Sequence, residues 1–323
     1  MKKLIGIDFG TANTFIYVEG RGIVFSESTI ISLDIKTGKV LDIGYLASKM
    51  LGKSPDNIDV IKPIKRGVPA RLNPCVLFLK EALNRANIKS LKNYRILFSH
   101  PSDITPIEKK SYIEIASRLG CDDVTFENQA ILASLGAGVS FKDNRGTMHV
   151  NLGAGSTNIV VLSGKQEIIS RPSIFCGQLI DEVILRYLRK QRHLLVGIKT
   201  AEFIKMKIGS VELTPENRLL EVSGRDILTS LPHNVNISTA EVKNILIPLA
   251  EQLIDSINDA LILIPPELAS DIQDNGVIIS GGTALLAGMR EYIESKINIA
   301  IRIAPDPLAS VAKGMAVYFK EIK

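Results

Sequence analysis

The chain has 323 residues, of which 46% are hydrophobic and 23% charged, the balance of a folded soluble protein. That length exceeds one ordinary core, so two domains are expected, and a net charge of +5 gives mild attraction to anionic surfaces with no particular nucleic-acid partner. Asp8 interrupts the apolar run after Lys2 and Lys3, so no secretory signal is read, and no apolar run is long enough to cross a bilayer; a cytoplasmic location is expected.

In chain order, Leu4, Ile5 and Ile7 read as a short apolar strand that runs into Asp8, Gly10, Thr11, Ala12, Asn13 and Thr14. A glycine at such a turn lets main-chain N–H groups face an anion, and an acid at the strand end can hold Mg²⁺ through its waters. The alternative is an ordinary hairpin, because Phe15, Ile16, Tyr17 and Val18 form a second strand directly afterwards. Residues 22–24 and 29–32 read as strands, 36–39 as a tight turn, and 44–51 as a short helix closed by Gly52. The stretch up to Gly67 reads as an insertion, with Lys62, Lys65 and Arg66 at its exit serving either as a solvated face or as phosphate contacts. A helix is expected over 76–86. The loop Ile88, Lys89, Ser90, Leu91, Lys92, Asn93 and Tyr94 follows, mixing apolar and basic residues. It is either a plain surface loop or one that dips into anionic headgroups, where each lysine contributes on the order of 1 kcal/mol. After a strand at 96–98 and a helix at 107–119, Gln129 falls at a helix start, where it either orients a water or caps.

A second stretch repeats the opening plan. His149, Val150, Asn151 and Leu152 lead into Gly153, Ala154, Gly155, Ser156 and Thr157, then another apolar strand. Asn151 stands in the place of Asp8, and Gly153 in that of Gly10. Two such hairpins suggest two similar halves facing across a cleft, with phosphates between the turns. Ile180, Val183, Ile184, Tyr187 and Leu188 form an ordinary core stripe. Thr200 is expected to cap a helix that carries Glu202, Lys205 and Lys207 and ends at Gly209; Lys205 is either a nucleotide contact or a solvated lysine. Residues 211–232 read as strands and turns. Ser238 and Glu241 make a capping box for a long helix, with Val242, Ile245, Leu249, Leu253, Ile257, Ala260, Leu261 and Ile264 inward, a kink at Pro248 and a stop at Pro265 and Pro266. A third glycine turn, Gly281, Gly282 and Thr283, follows a buried strand; its bare backbone could lie against a base or ribose. A final helix is expected to pack back on the first half. Cys75, Cys121 and Cys176 stand singly, as buried reduced thiols, and His100, His149, His193 and His233 are equally isolated, which argues against zinc or catalysis.

Taken together, residues 6–18, 151–161, 276–288 and 305–316 resemble the phosphate, adenosine and connecting motifs of the actin superfamily, and most nearly the MreB family of bacterial actin homologues. The resemblance covers nearly the whole chain. It implies an α/β actin-like ATPase fold: lobe I at 1–138 with a small subdomain at 30–67, completed by 308–323, and lobe II at 139–307 with a subdomain at 177–235. It further implies ATP and Mg²⁺ between the lobes, homopolymeric filaments in paired protofilaments, copolymers with homologous filament proteins, and attachment to the inner face of the membrane through residues 88–94. Asp8 and Asn151 would stand at the metal, and Gly10, Thr11, Ala12, Asn13 with Gly153 to Thr157 at the phosphates. Glu202, Lys205, Gly281, Gly282 and Thr283 would serve the nucleoside, with Gln129 and Thr157 orienting the attacking water. The departures fall near the chemistry. The family's second-loop acid is Asn151, its water-positioning glutamate is Gln129, and Gln178 and Arg66 replace usual acids while Asp181 is kept. An amide cannot accept a proton, and loss of a general base costs roughly a hundredfold to ten-thousandfold, so slow hydrolysis is expected. A phosphotransferase of the same superfold and a non-hydrolysing scaffold subunit are the alternatives.

Overall fold

The computed structural model describes residues 2–212 and 217–321. The first half opens with an antiparallel meander, β1 (Lys3–Phe9), β2 (Asn13–Val18) and β3 (Gly22–Ser28). β4 (Ile31–Asp34), β5 (Val40–Ile43) and β6 (Ile58–Ile61) form a separate small sheet beside α1 (Tyr45–Met50), and β7 (Ile64–Lys65) pairs with β8 (Val68–Pro69). α2 (Leu72–Arg85), β9 (Tyr94–His100), α3 (Pro106–Arg118) and β10 (Val124–Asn128) then add two parallel strands to the meander, in the order β10-β9-β1-β2-β3. α4 (Gln129–Gly136) follows at once, capped by Asn128 Oδ1 accepting from Ala130 N at 2.9 Å.

The second half repeats this topology. β11 (Gly146–Leu152), β12 (Thr157–Ser163) and β13 (Gln166–Ser173) are its meander. A subdomain follows, made of α5 (Gly177–Gln191), β14 (Leu194–Leu195), α6 (Ile198–Ile208), β15 (Leu219–Asp226) and β16 (Pro232–Ser238). After α7 (Thr239–Ile262) and α8 (Pro266–Asn275), the parallel strands β17 (Val277–Ser280) and β18 (Ile301–Ile303), with α9 (Met289–Ile297) between them, complete the order β13-β12-β11-β17-β18. α10 (Ser310–Glu321) returns to the first half.

Several expectations shift for local reasons. α2 begins at Leu72, not Val76, because Pro74 lies in the first turn, where an N–H has no intrahelical partner to lose. Thr200 does not cap α6: the helix starts after Gly197 and places Thr200 inside its first turn. The capping box of α7 is present, with Ser238 Oγ accepting from Glu241 N at 3.2 Å and Glu241 Oε2 accepting from Ser238 N at 2.9 Å. Its buried face runs through Leu246 and Ala250, while Ile245, Leu249 and Leu261 flank it half-buried. Of the region read as strands and turns at 211–232, residues 213–216 lie outside the described residues. Ile88 and Leu91 are buried in the first core, so the loop around them offers water only its polar members, among them Lys89 and Lys92.

Each half has its own hydrophobic core, and α10 closes a third against the first sheet with Leu4, Leu97, Leu132, Val311, Met315 and Phe319. Across the base of the cleft, Ser102 N donates to Asn158 Oδ1 at 2.8 Å, and Asn128 Nδ2 donates to Ser170 Oγ at 2.9 Å. The α4–α10 crossing is tighter than any side chain allows: a Cβ on Gly136 would lie 1.9 Å from Ser310 O, and one on Gly314 would lie 1.6 Å from Leu132 O. Gly314→Ala should therefore force the helices apart and cost about 1–3 kcal/mol. Urea denaturation of the two proteins checks this, and an unchanged midpoint would contradict the crossing.

Candidate nucleotide-binding cleft

The β1–β2 and β11–β12 turns are built alike. A Cβ on Gly10 would stand 2.7 Å from Asn13 O, and one on Gly153 would stand 2.5 Å from Ser156 O. Close backbone approach therefore requires glycine at both places. The turns also touch each other, since a Cβ on Gly155 would fall 2.1 Å from Thr11 Oγ1. Thr11 Oγ1 in turn accepts from Gly67 N at 2.8 Å, which ties the end of the basic stretch to the same point.

Around this junction lies a cavity of ≈ 620 Å³, within the size range of small-molecule and cofactor sites. Asp8, Gly10, Thr11, Ala12, Asn13, Asn151, Gly153, Ala154, Gly155 and Ser156 line it from the two hairpins and Gln129 from the start of α4; Glu202, Lys205, Gly281, Gly282 and Thr283 line it from elsewhere in the second half. Thr157 is not brought there. Its side chain is fully buried at the start of β12, with no partner for Oγ1 among the described residues. Lys62, Lys65 and Arg66 do not line the cavity either; Lys65 and Arg66 are exposed.

The third turn holds a left-handed conformation, Gly281 at φ 85°, and a Cβ there would lie 2.2 Å from Leu152 O. Thr283 Oγ1 donates to Gly153 O at 2.9 Å, joining the second and third turns. Gly177, at the start of α5, was not singled out in the sequence. It sits where three walls converge: a Cβ would meet Thr283 Oγ1 at 3.0 Å, Ala154 Cα at 3.3 Å and Lys205 Nζ at 3.4 Å. The available signal was a lone glycine just ahead of an amphipathic stripe. Arg218, Leu286, Pro307 and Leu308 also line the cavity, and no local pattern marks them.

The charges are unevenly placed. Asp8 is buried and accepts from Ser99 Oγ at 2.7 Å; burial raises its carboxyl from the usual 3.8 to about 6, against the lowering effect of Ser99. Lys205 Nζ pairs with Asp181 Oδ1 at 2.8 Å and donates to Gly177 O at 3.1 Å. Burial raises Asp181, with Lys205 opposing. Glu202 holds Lys199 Nζ at 3.0 Å; burial raises Glu202, but Lys199, Lys205 and Lys62 outweigh it and keep the carboxyl below its usual value. Burial lowers the Lys62 ammonium, and Glu202 opposes this across the cleft mouth. His149 is fully buried, and burial pushes it down to about 3, so its ring is neutral.

Glycine-lined backbone between two lobes fits a nucleoside triphosphate. For Mg²⁺, Asp8 has one oxygen free of Ser99. No cluster of three or more His, Cys, Asp or Glu suited to a metal exists among the described residues. Nucleotide-linked Mg²⁺ needs only one or two carboxylates, so Asp8 fits. Asn151 is the weaker candidate beside it. It carries no charge, and its Oδ1 already accepts from Ser280 Oγ at 3.2 Å.

A duplicated five-stranded unit with a nucleotide-sized cleft between the copies defines the actin-like class. The chain is similar to MreB5 of Spiroplasma citri bound to AMPPNP, with TM-score 0.94 and 31% identity, covering 100% of this chain and 97% of that one. The same protein bound to ADP gives TM-score 0.93. The MamK double helical filament shares the fold, with TM-score 0.82 at 18% identity over the whole of both chains. The MreB/Mbl protein family matches residues 2–323, and the chain belongs to that family. It is 37% identical to the cell shape-determining protein Mbl of Bacillus cereus, over 98% of this chain and 96% of that protein. It is 33% identical to the cell shape-determining protein MreB of Escherichia coli, over 96% and 91%.

The raised Asp8 carboxyl sets a sign. The unfolded chain releases this proton near 3.8, the folded protein near 6, so ionising Asp8 destabilises the fold as pH rises through that window. Asp8→Asn should thus leave the ligand-free protein more stable than wild type at pH 7.5, by on the order of 3 kcal/mol, and equal to it below pH 4. Denaturation at both pH values checks this; equal stability at pH 7.5 would mean that Asp8 is not buried as a charge.

Proposed function

We propose that this protein binds ATP with Mg²⁺ between its lobes and polymerises into actin-like filaments that act in cell shape, peripheral to the inner face of the cytoplasmic membrane. The supporting observation is the contact of Thr11 with Gly155, because any ligand seated on both turns touches both lobes. MreB5 of Spiroplasma citri was solved with ADP and with AMPPNP, and the curated relatives are named for cell shape.

Bound Mg²⁺ would supply positive charge against the phosphates, held through Asp8. The N–H groups of the two glycine turns bind phosphate oxygens, and Glu202 accepts from ribose hydroxyls while Lys199 and Lys205 keep it ionised. The backbone of Gly281 and Gly282 lies flat against the nucleoside. Gln129 lines the cavity, and no hydrogen bond engages its side-chain amide among the described residues, so it is free to orient a water but cannot take its proton. Hydrolysis is therefore slow. ATP-dependent sedimentation, absent with ADP or without nucleotide, is the expected result for filaments. Gln129→Glu should raise phosphate release at least about tenfold under the same conditions. Rapid release by the wild type, at the rate of the variant, would defeat the slow-turnover reading.

Among the described residues no helix is long and apolar enough to cross a membrane. With Ile88 and Leu91 committed to the core, the exposed Lys89 and Lys92 leave an electrostatic contact. Liposomes rich in anionic lipid should sediment the protein at low salt and release it at high salt, and Lys89→Glu with Lys92→Glu should weaken binding by roughly tenfold or more. Salt-independent binding would point to apolar insertion elsewhere.

A further inference from the structure

Asn151 stands at the end of a buried hydrogen-bond chain. His149 Nε2 lies 2.7 Å from Ser280 Oγ, and Ser280 Oγ lies 3.2 Å from Asn151 Oδ1. β11 and β17 pair in parallel with Asn151 opposite Ser280, so the strand register builds the chain. His149 and Ser280 are wholly buried.

A serine hydroxyl has one proton, so the chain can run only two ways. In one, His149 Nε2–H donates to Ser280, whose proton goes to Asn151 Oδ1. In the other, the Asn151 amide turns over to donate to Ser280, which donates to a bare Nε2. The second puts the ring proton on Nδ1, which is buried and has no partner among the described residues. An orphaned buried N–H is rarer and costlier than an unused lone pair. The first direction therefore holds, and it fixes the imidazole tautomer. Asn151 Oδ1 is thereby turned toward Ser280 inside the wall. The Nδ2 arm is left for the cavity that Asn151 lines.

We propose that His149 and Ser280 are positioning residues that hold Asn151 as a hydrogen-bond donor to a phosphate oxygen of the bound nucleotide, so the second turn meets the phosphates directly and not through metal-bound water. The assignment rests on the nucleotide reading above. It makes the cleft asymmetric: the first turn offers a carboxylate to a cation, and the second offers a donor to the anion.

Two measurements test it. Long-range ¹H–¹⁵N NMR of the nucleotide-free wild-type protein should show His149 protonated on Nε2 with a bare Nδ1; the reverse tautomer would overturn the proposal, whether or not nucleotide binds. ATP affinity is then read with excess Mg²⁺ and with EDTA. Asn151→Asp should weaken metal-free ATP binding by about tenfold or more, since a charge-assisted bond is replaced by repulsion, and Ser280→Ala should weaken it several-fold by freeing the amide. Both losses should be smaller with Mg²⁺. Metal-free affinities within about twofold of wild type in both variants would refute the assignment. A wild type that shows the expected tautomer yet binds ATP under neither condition would overturn the nucleotide reading and, with it, the role of Asn151.

Discussion

The structure depends on one contact, the Thr11 side chain against the bare backbone of Gly155. Each lobe brings a tight glycine turn to the same point, and neither has room for another residue. Gly10 and Gly153 are constrained by carbonyls of their own turns, at Asn13 and Ser156, so each hairpin is rigid before it meets its partner. Thr11 then joins the first turn to Gly67, and Thr283 joins the second to the third. Backbone N–H groups held this firmly need no reorganisation to meet an anion, which is how a short loop binds phosphate without a large charge.

The duplication makes the differences informative. β1 and β11 end at equivalent positions, yet Asp8 accepts from Ser99 on one side, while Asn151 accepts from Ser280 on the other. The serines do the same work, holding one oxygen of the terminal residue inside the wall. What remains for the cavity is a carboxylate oxygen in the first case and an N–H₂ group in the second. Two carboxylates lining one cavity would each raise the other's proton affinity, added to a burial effect that already lifts Asp8 to about 6. An amide in the second position removes that penalty.

Much of this was readable because it is local. Glycine between an apolar strand and small polar residues marks a tight turn, and the Ser238–Glu241 box marks a helix start with its own hydrogen bonds. The five-stranded sheets follow from the same alternation written twice. What failed to show was tertiary. Thr157 reads as one more residue of the second turn, and only the structure shows its side chain fully buried at the start of β12. Ile88 and Leu91 look like an insertion loop until the first core claims them. His149 looks idle as an isolated histidine, and only the β11–β17 register gives it Ser280. Gly177 becomes a cavity wall only once α5, the second turn and the third turn meet.

The lobes are joined unequally along the cleft. At its base, Asn158 and Asn128 each bridge the halves by short hydrogen bonds. At its mouth the coupling is ionic. Lys62 faces the group of Glu202, Lys199, Asp181 and Lys205 without a short pair of its own in the salt bridges of that group. Short hydrogen bonds fix geometry within tenths of an ångström, whereas a longer-range field between charged side chains tolerates several ångströms of separation. The halves are thus held by short bonds at the base and by longer-range charge at the mouth. In the nucleotide reading proposed above, a ligand on the turns sits between these two kinds of contact and touches both halves.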